Sequence, residues 1–198
     1  MFAYIKGNLE EKASNYVVID VSGIGYKIYM SETAIQNIGE INNLVKVHTY
    51  YYVREDNISI YGFLSNEELK MFELLLSVSG IGAKTAIVML SNITPSSFAL
   101  AVISNDISNL TKIPGIGAKS AQRIVLELKD KLKTEQAITE TNETKTDIEK
   151  DNVSNEVIDA LQILGYNRRE INKVLEKIDV DNLKIEDAIK LALKELSK

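Results

Sequence analysis

Residues 80–86 read Gly80-Ile81-Gly82-Ala83-Lys84-Thr85-Ala86, and nearly the same heptapeptide returns 35 residues later as Gly115-Ile116-Gly117-Ala118-Lys119-Ser120-Ala121. Each copy follows a short apolar segment and precedes an apolar-periodic run that predicts a helix. The glycines permit a tight turn with positive φ and a close approach of the backbone to another molecule. The isoleucine between them can pack the turn onto the core. We therefore predict two equivalent turns, hairpin 1 (80–86) and hairpin 2 (115–121), each leading into a helix.

The start of each predicted helix has the features of a phosphate-binding site. The first N–H groups of a helix lack partners within the helix, and the helix dipole adds positive charge there. A lysine, Lys84 or Lys119, follows in each copy, and this combination binds anions. Two such sites in tandem match the evenly spaced charges of a nucleic-acid backbone. The predicted DNA-binding residues are Gly80, Gly82, Lys84, Thr85, Gly115, Gly117, Lys119, Ser120 and Arg123.

Other interpretations of these residues fit the sequence less well. A nucleotide-binding P-loop requires adjacent glycine and lysine, but Ala83 or Ala118 stands between them in this chain. A single G-x-G is typical of an ordinary turn, so the binding hypothesis depends on the duplication. Arg123 lies four residues beyond Lys119 on the same helix face and can reach the same phosphates. The alternative for Arg123 is a structural salt bridge.

Composition excludes several kinds of site. The chain has 198 residues, which suggests one to three small domains, and it contains no cysteine and one histidine, His48. Disulfides, thiolate metal sites and histidine metal clusters are therefore excluded, and we expect no metal, no cofactor and no catalytic residue. We also expect a cytoplasmic chain without membrane contact, because it starts without a signal-peptide pattern and lacks an apolar stretch of about 18 residues.

The charge is distributed unevenly along the chain. The net charge of −5 argues, taken alone, against a polyanionic partner. However, residues 64–134, which contain both hairpins, carry 8 basic and 6 acidic groups, net +2. Residues 1–63 have a net charge of −2 and residues 135–198 one of −5. The positive excess therefore coincides with the predicted DNA-binding segment, and the acidic C-terminal segment is not expected to contact DNA.

The N-terminal third predicts a barrel. Residues 1–63 contain five runs rich in β-branched and aromatic residues, with one short helical piece near 33–38. This pattern fits a small Greek-key barrel of the OB type. Four tyrosines in this region, Tyr50, Tyr51, Tyr52 and Tyr61, have the chemistry to stack on bases of a single strand. Packing within the barrel and at its interfaces is the favoured interpretation.

The rest of the chain predicts helices, so the fold class is multi-domain α+β. Residues 64–133 predict an all-α tandem helix-hairpin-helix domain, with a capping box beginning at Ser65 and a helix start at Thr94-Pro95. Residues 134–152 are acidic, rich in threonine and poor in large apolar residues, which predicts a flexible linker. Residues 153–198 recover a helical period and predict a C-terminal three-helix bundle that presents an apolar patch to a partner.

This arrangement resembles the RuvA family, bacterial proteins that bind Holliday junctions within the branch-migration machine. The resemblance covers essentially the whole chain. Its most specific parts are the two hairpins and the segment Tyr52-Val53-Arg54-Glu55-Asp56, followed by Ile60-Tyr61-Gly62-Phe63. The linker and the third domain match by architecture more than by motif, so the resemblance assigns no partner-contact residues there.

The resemblance carries several implications. It implies that Glu55 and Asp56 form an acidic pin at the junction centre, and that the barrel supports oligomerisation. It implies a homotetramer, one or two per junction, on four-way junction DNA. It further implies that the third domain recruits the RuvB hexameric ATPase, and that the RuvC junction resolvase is an additional partner.

The predicted function is a non-catalytic subunit. It binds four-way junctions by shape, holds them open and recruits the ATPase for branch migration in recombination and DNA repair.

The alternatives are a generic tandem helix-hairpin-helix adaptor or the docking part of a DNA-repair enzyme. A glycosylase needs a base pocket and a catalytic acid after the hairpin, and the predicted linker begins too soon. A nuclease needs clustered carboxylates, whereas Glu55 and Asp56 lie on a predicted turn.

Overall fold

The computed structural model describes residues 2–55, 57–139, 152–178 and 183–196. The N-terminal elements within these ranges are β1 (Tyr4–Lys12), β2 (Tyr16–Val21), β3 (Ile24–Tyr29), α1 (Glu32–Asn37), β4 (Leu44–Val53) and β5 (Ile58–Phe63). The strands close into a barrel in the order β1-β2-β3-β5-β4. Neighbouring strands are antiparallel except β3 and β5, which run parallel. The predicted OB-type barrel is confirmed.

Alternation of side chains along the strands forms the barrel core. In β1, Ile5 and Leu9 are buried, whereas Lys6 and Asn8 point to solvent, which is the two-residue period of a strand. Ile35 of α1 closes the same core. A core of this size gives only a modest gain from burial. The barrel is therefore expected to depend on its contact with the helices that follow.

The described helices after the barrel are α2 (Asn66–Leu76), α3 (Ala83–Asn92), α4 (Pro95–Ile103), α5 (Ile107–Leu110) and α6 (Ala118–Thr139). Thr94 caps α4, with Pro95 in the first turn, as predicted. The predicted capping box at α2 is half formed. Ser65 accepts the N–H of Glu68 at 3.3 Å, but the Glu68 carboxylate accepts from the N–H of Leu64, at 2.9 Å, instead of Ser65.

The barrel and these helices share one continuous core. Phe72 of α2 lies among Tyr61, Phe63 and Tyr50, with ring centroids 5.2, 4.9 and 5.4 Å away. Tyr52 stacks edge-on against Tyr61, and burial raises the pKa of the Tyr61 phenol above its ordinary value. Three of the four barrel tyrosines therefore pack at the barrel–helix interface, which is the interpretation that the sequence favoured.

The end of the helical domain differs from the prediction. The sequence pattern placed the start of the linker at Thr134, but α6 continues to Thr139. Residues 134–139 contain neither glycine nor proline and include glutamate, glutamine and alanine, which are good helix formers. Nothing in this segment stops the helix. Residues 140–151 of the predicted linker lie outside the described residues.

The C-terminal part forms the predicted three helices within the described ranges: α7 (Asn152–Ile163), α8 (Arg168–Leu175) and α9 (Ile185–Leu196). Gly165 ends α7 with φ +99°, and the N–H of Tyr166 donates to the carbonyl of Leu161 at 3.0 Å, which is a common way for a helix to end. Ala99 and Ile103 of α4 are buried in the same core as these helices. Part of the predicted apolar patch is thus covered by the chain itself.

Among the described helices, none is by itself long and apolar enough to cross a membrane. Only α3 and α4 taken together would meet those criteria, and the chain bends by 100° between them. Met89 of α3 and Phe98 of α4 are buried in the core that the barrel and the helices share.

Candidate nucleic-acid interface

The two hairpins have the same backbone geometry. Gly80 has φ +85° and Gly115 has φ +82°, so each turn uses a left-handed conformation that favours glycine. The N–H of Ile81 donates to the carbonyl of Val78 at 3.1 Å, and that of Ile116 donates to the carbonyl of Ile113 at 3.1 Å. Both isoleucines are buried, so each turn is packed onto the core as predicted.

The second glycine of each hairpin has a different role from the first. Gly82 has φ −98° and ψ 171°, which any residue adopts, and Gly117 does not have positive φ either. The sequence had predicted positive φ without separating the two glycines. A Cβ added at Gly82 or Gly117 would meet nothing within 4 Å. Neither the backbone nor the packing of the described chain requires glycine here, so these positions leave room for a molecule outside the chain.

The helices that follow the hairpins begin without a side-chain cap. Gly82 is the N-cap of α3 and has no side chain to accept from the first turn. By contrast, a side-chain oxygen caps α1, α2, α4, α5 and α8. The first helical bonds run from Ala86 to Gly82 and from Ala121 to Gly117, each 2.9 Å. The N–H groups of residues 83–85 and 118–120 precede these bonds and are therefore available to an anion.

The two lysines complete the sites. Lys84 and Lys119 are both exposed, and neither makes a hydrogen bond or ion pair within the described part of the chain. Thr85 and Ser120, the next residues, are half-buried. Each ammonium group therefore lies one turn or less from open amides and is free to move onto a phosphate. The structure thus brings Gly80, Gly82, Lys84 and Thr85 together in one site, and their four counterparts in hairpin 2 in another.

Arg123 occupies a position that sequence reasoning described only in part. Its Nη1 donates to the carbonyl oxygen of Ser79 at 3.2 Å, and its Nε lies 4.0 Å from Oε1 of Glu127. The salt-bridge alternative for Arg123 is therefore present in the free chain. Ser79 and Glu127 were missed by the sequence analysis. The four-residue spacing between Arg123 and Glu127 predicts their ion pair, but their contact with Ser79 depends on tertiary structure.

Glu55, one of the two residues of the predicted acidic pin, lies at the tip of the β4–β5 hairpin. The N–H of Arg54 donates to the carbonyl of Asn57 at 2.8 Å and closes the turn. Glu55 is exposed at this tip, whereas Asp56 lies outside the described residues. Below the tip, Val53 and Ile58 face each other across the strands and are 55% and 63% exposed.

The described residues outside the hairpins were compared with the requirements of a metal centre and of an enclosed pocket. Among them, no group of three or more His, Asp and Glu side chains is arranged to hold a metal ion. The cavities between the C-terminal helices and the ends of α2 and α4 are open and are lined by residues of both signs, including Glu67, Glu170 and Lys173. These features leave the two hairpins as the candidate functional site.

Fold and site define the class of the protein: a tandem helix-hairpin-helix domain on an OB-type barrel, with two open helix N-termini beside lysines. Family models agree with this class along the chain. The model for the RuvA N terminal domain matches residues 1–62, that for the SAM-like helix-hairpin-helix tandem matches 72–130, and that for the RuvA C-terminal domain matches 152–197.

Similar proteins extend over the whole chain. The Holliday junction branch migration complex subunit RuvA of Acetivibrio thermocellus is 50% identical over 202 residues, covering 100% of both chains. The protein of the same name from Ruminiclostridium cellulolyticum is 46% identical over 99% of this chain and 100% of its own. That from Clostridium perfringens strain ATCC 13124 is 43% identical, with both chains fully covered. The chain belongs to the RuvA family.

Proposed function

We propose that this chain is the junction-binding subunit of a Holliday junction branch migration complex. The observation that carries the proposal is the pair of equivalent hairpins. Each has an uncapped helix N-terminus, a glycine with open space where a Cβ would stand, and an exposed lysine without a partner in the described part of the chain. Full-length similarity to proteins named as branch migration complex subunits supports it. The chain itself performs no catalysis in this account; the ATPase is its partner.

Binding would proceed through phosphates alone. The open N–H groups of residues 83–85 and 118–120 would donate to phosphate oxygens, and Lys84 and Lys119 would neutralise the phosphate charge. Thr85 and Ser120 add hydroxyl donors, and Arg123 lies beside the first site. Contacts of this kind fix the position of a duplex without reading its bases. The protein would therefore recognise the shape of a four-way junction and not its sequence.

The tip of the β4–β5 hairpin would act at the centre of the junction. Carboxylates repel phosphates, so Glu55 and Asp56 lower the affinity for any continuous backbone placed against them. A four-way junction has an opening at its centre, where a duplex has backbone. Acidic residues there penalise linear DNA more than the junction and keep the crossing strands apart. The exposed Val53–Ile58 pair below the tip supports a contact surface in the same region.

Assembly and partners complete the proposal. The barrel would mediate a homotetramer, with one or two tetramers on each junction. The C-terminal helices would recruit the RuvB hexameric ATPase, and the RuvC resolvase would act on the same junction. Residues 140–151 would serve as a tether between the DNA-binding part and the recruiting part. Such an assembly works on chromosomal DNA in the cytoplasm.

The experiment compares one four-way junction with a linear duplex of equal length. Fluorescence anisotropy at fixed salt would give both affinities, and three further junctions of unrelated sequence would test sequence independence. We expect the junction to bind at least tenfold more tightly than the duplex and the four junctions to bind alike. Equal affinity for duplex and junction would favour the generic adaptor, and strong dependence on junction sequence would contradict binding through phosphates.

A further inference from the structure

A set of contacts connects hairpin 1 to the helix that begins at hairpin 2. The N–H of Ser79, the residue before Gly80, donates to Oε2 of Glu127 at 3.0 Å. The carbonyl of Ser79 accepts from Nη1 of Arg123 at 3.2 Å. Nε of Arg123 and Oε1 of Glu127 are 4.0 Å apart. The backbone N–H and the backbone carbonyl of Ser79, which directly precedes hairpin 1, are therefore both held by side chains of α6. These side chains are 44 and 48 residues away in sequence.

The same helix carries the lysine of hairpin 2. Lys119, Arg123 and Glu127 follow one another at four-residue intervals, so they lie along one face of α6. A helix is stiff over two turns, and the distance from Lys119 to Glu127 is therefore fixed by geometry. Holding Ser79 to this face adds a polar connection between hairpin 1 and the helix of hairpin 2, beside the core that Ile81 and Ile116 share.

These contacts do not belong to the duplicated unit. Thirty-five residues from Ser79, the chain has Pro114, which has no N–H to donate. The counterparts of Arg123 and Glu127 are Val88 and Asn92. Asn92 donates to the carbonyl of Val88 at 2.7 Å, within its own helix. The connection therefore runs in one direction only, from α6 to hairpin 1.

Arg123 also lies directly against the first phosphate site. A Cβ added at Gly80 would be 3.3 Å from Nη1 of Arg123, whereas one added at Gly115 would meet nothing within 4 Å. The guanidinium is thus held at the turn, with its charge partly balanced by Glu127. An acid this close to a phosphate site weakens DNA binding electrostatically, so a different benefit must offset its presence.

We propose that Glu127 is a positioning residue: with Arg123 it clamps Ser79 and sets the spacing of the two phosphate sites. This inference rests on the proposed function, because spacing matters only if both hairpins bind one nucleic acid. Two explanations of Glu127 then predict opposite changes in DNA affinity when its carboxylate is removed. If Glu127 acts only through its charge, its removal strengthens DNA binding. If it positions hairpin 1, its removal weakens junction binding in spite of the lost negative charge.

The test compares Glu127→Ala with Glu127→Gln, which keeps an oxygen that accepts from the Ser79 N–H. Glu73→Ala is the matched control, because it also removes one carboxylate from a helix. In the unaltered chain Glu73 pairs with Lys70 on α2 at 3.0 Å. We expect Glu127→Ala to bind a four-way junction about tenfold more weakly at fixed salt. Glu127→Gln should bind within about twofold of the unaltered chain, and Glu73→Ala should not bind more weakly.

Hydrogen exchange on the protein without DNA provides a second readout. In Glu127→Ala the amide of Ser79 should exchange faster, while that of Ile116 in hairpin 2 keeps its rate. Unchanged exchange at Ser79, or junction binding by Glu127→Ala as tight as that of the unaltered chain, would overturn the clamp.

Lys84→Ala with Lys119→Ala serves to separate the two proposals. If the lysine variant loses binding and Glu127→Ala does not, only the clamp fails. If neither loses binding, the proposed function fails.

Discussion

Hairpin 1 and hairpin 2 are nearly identical in sequence and in backbone, yet the chain supports them differently. Their first glycines have φ +85° and +82°, and their turn hydrogen bonds are both 3.1 Å. Hairpin 1, however, has Ser79 held by Arg123 and Glu127, whereas hairpin 2 has Pro114 at the corresponding place. The comparison separates what a local motif specifies from what the tertiary structure adds to it.

The local motif specifies the chemistry of the site. In both copies a glycine with positive φ turns the chain, a buried isoleucine anchors the turn, and a second glycine leaves the helix uncapped. The turn and the uncapped helix start follow from the motif itself, whereas the isoleucine of each copy is buried by the shared core. The relative position of the two turns depends on tertiary contacts, both the core that they share and the contacts of Ser79 with Arg123 and Glu127. Under the proposed function, duplication supplies two phosphate sites and the clamp from α6 sets their spacing.

The largest expected effect tests whether the hairpins suffice for DNA binding. Deleting residues 140–198 keeps both hairpins and α6 up to Thr139 in the chain, and it uncovers Ala99 and Ile103 of α4, which lie away from the hairpins in sequence. We expect junction affinity to remain within a few fold, and stimulation of the partner ATPase to be lost completely. Anisotropy and an ATPase assay measure the two effects. Branch migration at the full rate by the shortened chain would show that the C-terminal helices are not the recruiting part.

The next largest effect tests whether both hairpins use open amides. Gly82→Ser with Gly117→Ser introduces a hydroxyl at each N-cap, and the backbone of Gly82 already resembles that of the capping residue Ser65, with φ −129° and ψ 164°. The new side chains should occupy the amides and stabilise the helices by a few tenths of a kcal/mol. Junction affinity should fall about a hundredfold, roughly tenfold for each hydrogen-bonded phosphate lost.

Single variants sharpen this comparison. Gly82→Ser alone and Gly117→Ser alone should weaken junction binding by similar factors, because the two sites are chemically equivalent. Thermal unfolding should show no loss of stability in any of the three proteins. Full affinity in the double variant, with the helices capped, would contradict binding of phosphates at the helix N-termini.

A smaller effect concerns specificity and not affinity. Glu55→Gln with Asp56→Asn removes two negative charges from the segment between β4 and β5 and leaves hairpins 1 and 2 unaltered. Affinity for linear duplex should rise severalfold more than affinity for the four-way junction, because the duplex places backbone where the junction is open. Both affinities should be measured at one salt concentration, since salt alone changes them. A constant ratio would return these residues to the role of an ordinary solvated turn.

The smallest effect compares the two positive-φ glycines in stability. Gly80→Ala and Gly115→Ala should each cost about 1–2 kcal/mol, because alanine is strained in the left-handed region. Gly80→Ala should be the more destabilising by a few tenths of a kcal/mol, since its Cβ would press on Nη1 of Arg123 at 3.3 Å. Urea unfolding of both variants measures the difference. A larger cost at Gly115 would show that Arg123 does not lie against Gly80 in solution.

Much of the fold could be predicted because the responsible signals are local. Strand alternation and the Thr94-Pro95 helix start appear as expected. The end of α6 could not be placed well, because no glycine or proline marks it. Polar composition suggested a linker at Thr134, whereas helix propensity carries the helix to Thr139.

The site was predictable to a similar extent. The glycines, lysines and hydroxyls of both hairpins come from one repeated pattern, so their grouping follows from the sequence. The separate roles of Gly80 and Gly82 do not, because only the observed φ angles distinguish the turn glycine from the N-cap. The contact of Glu127 with Ser79 spans 48 residues, and no periodicity in the sequence indicates it.

Binding of phosphates by the two hairpins is tested by the salt dependence of junction binding. The affinity of the unaltered chain for one four-way junction should be measured across a salt series, with Lys84→Ala/Lys119→Ala beside it. Lys173→Ala/Lys184→Ala is the control, because it removes two exposed lysines that lie outside the hairpins. We expect the lysine variant to bind every junction sequence more weakly, with a log–log slope shallower by about 0.9 for each lysine that contacts a phosphate. The control should keep the original slope. An unchanged slope in the hairpin variant, with an altered preference among sequences, would contradict phosphate binding by the two hairpins.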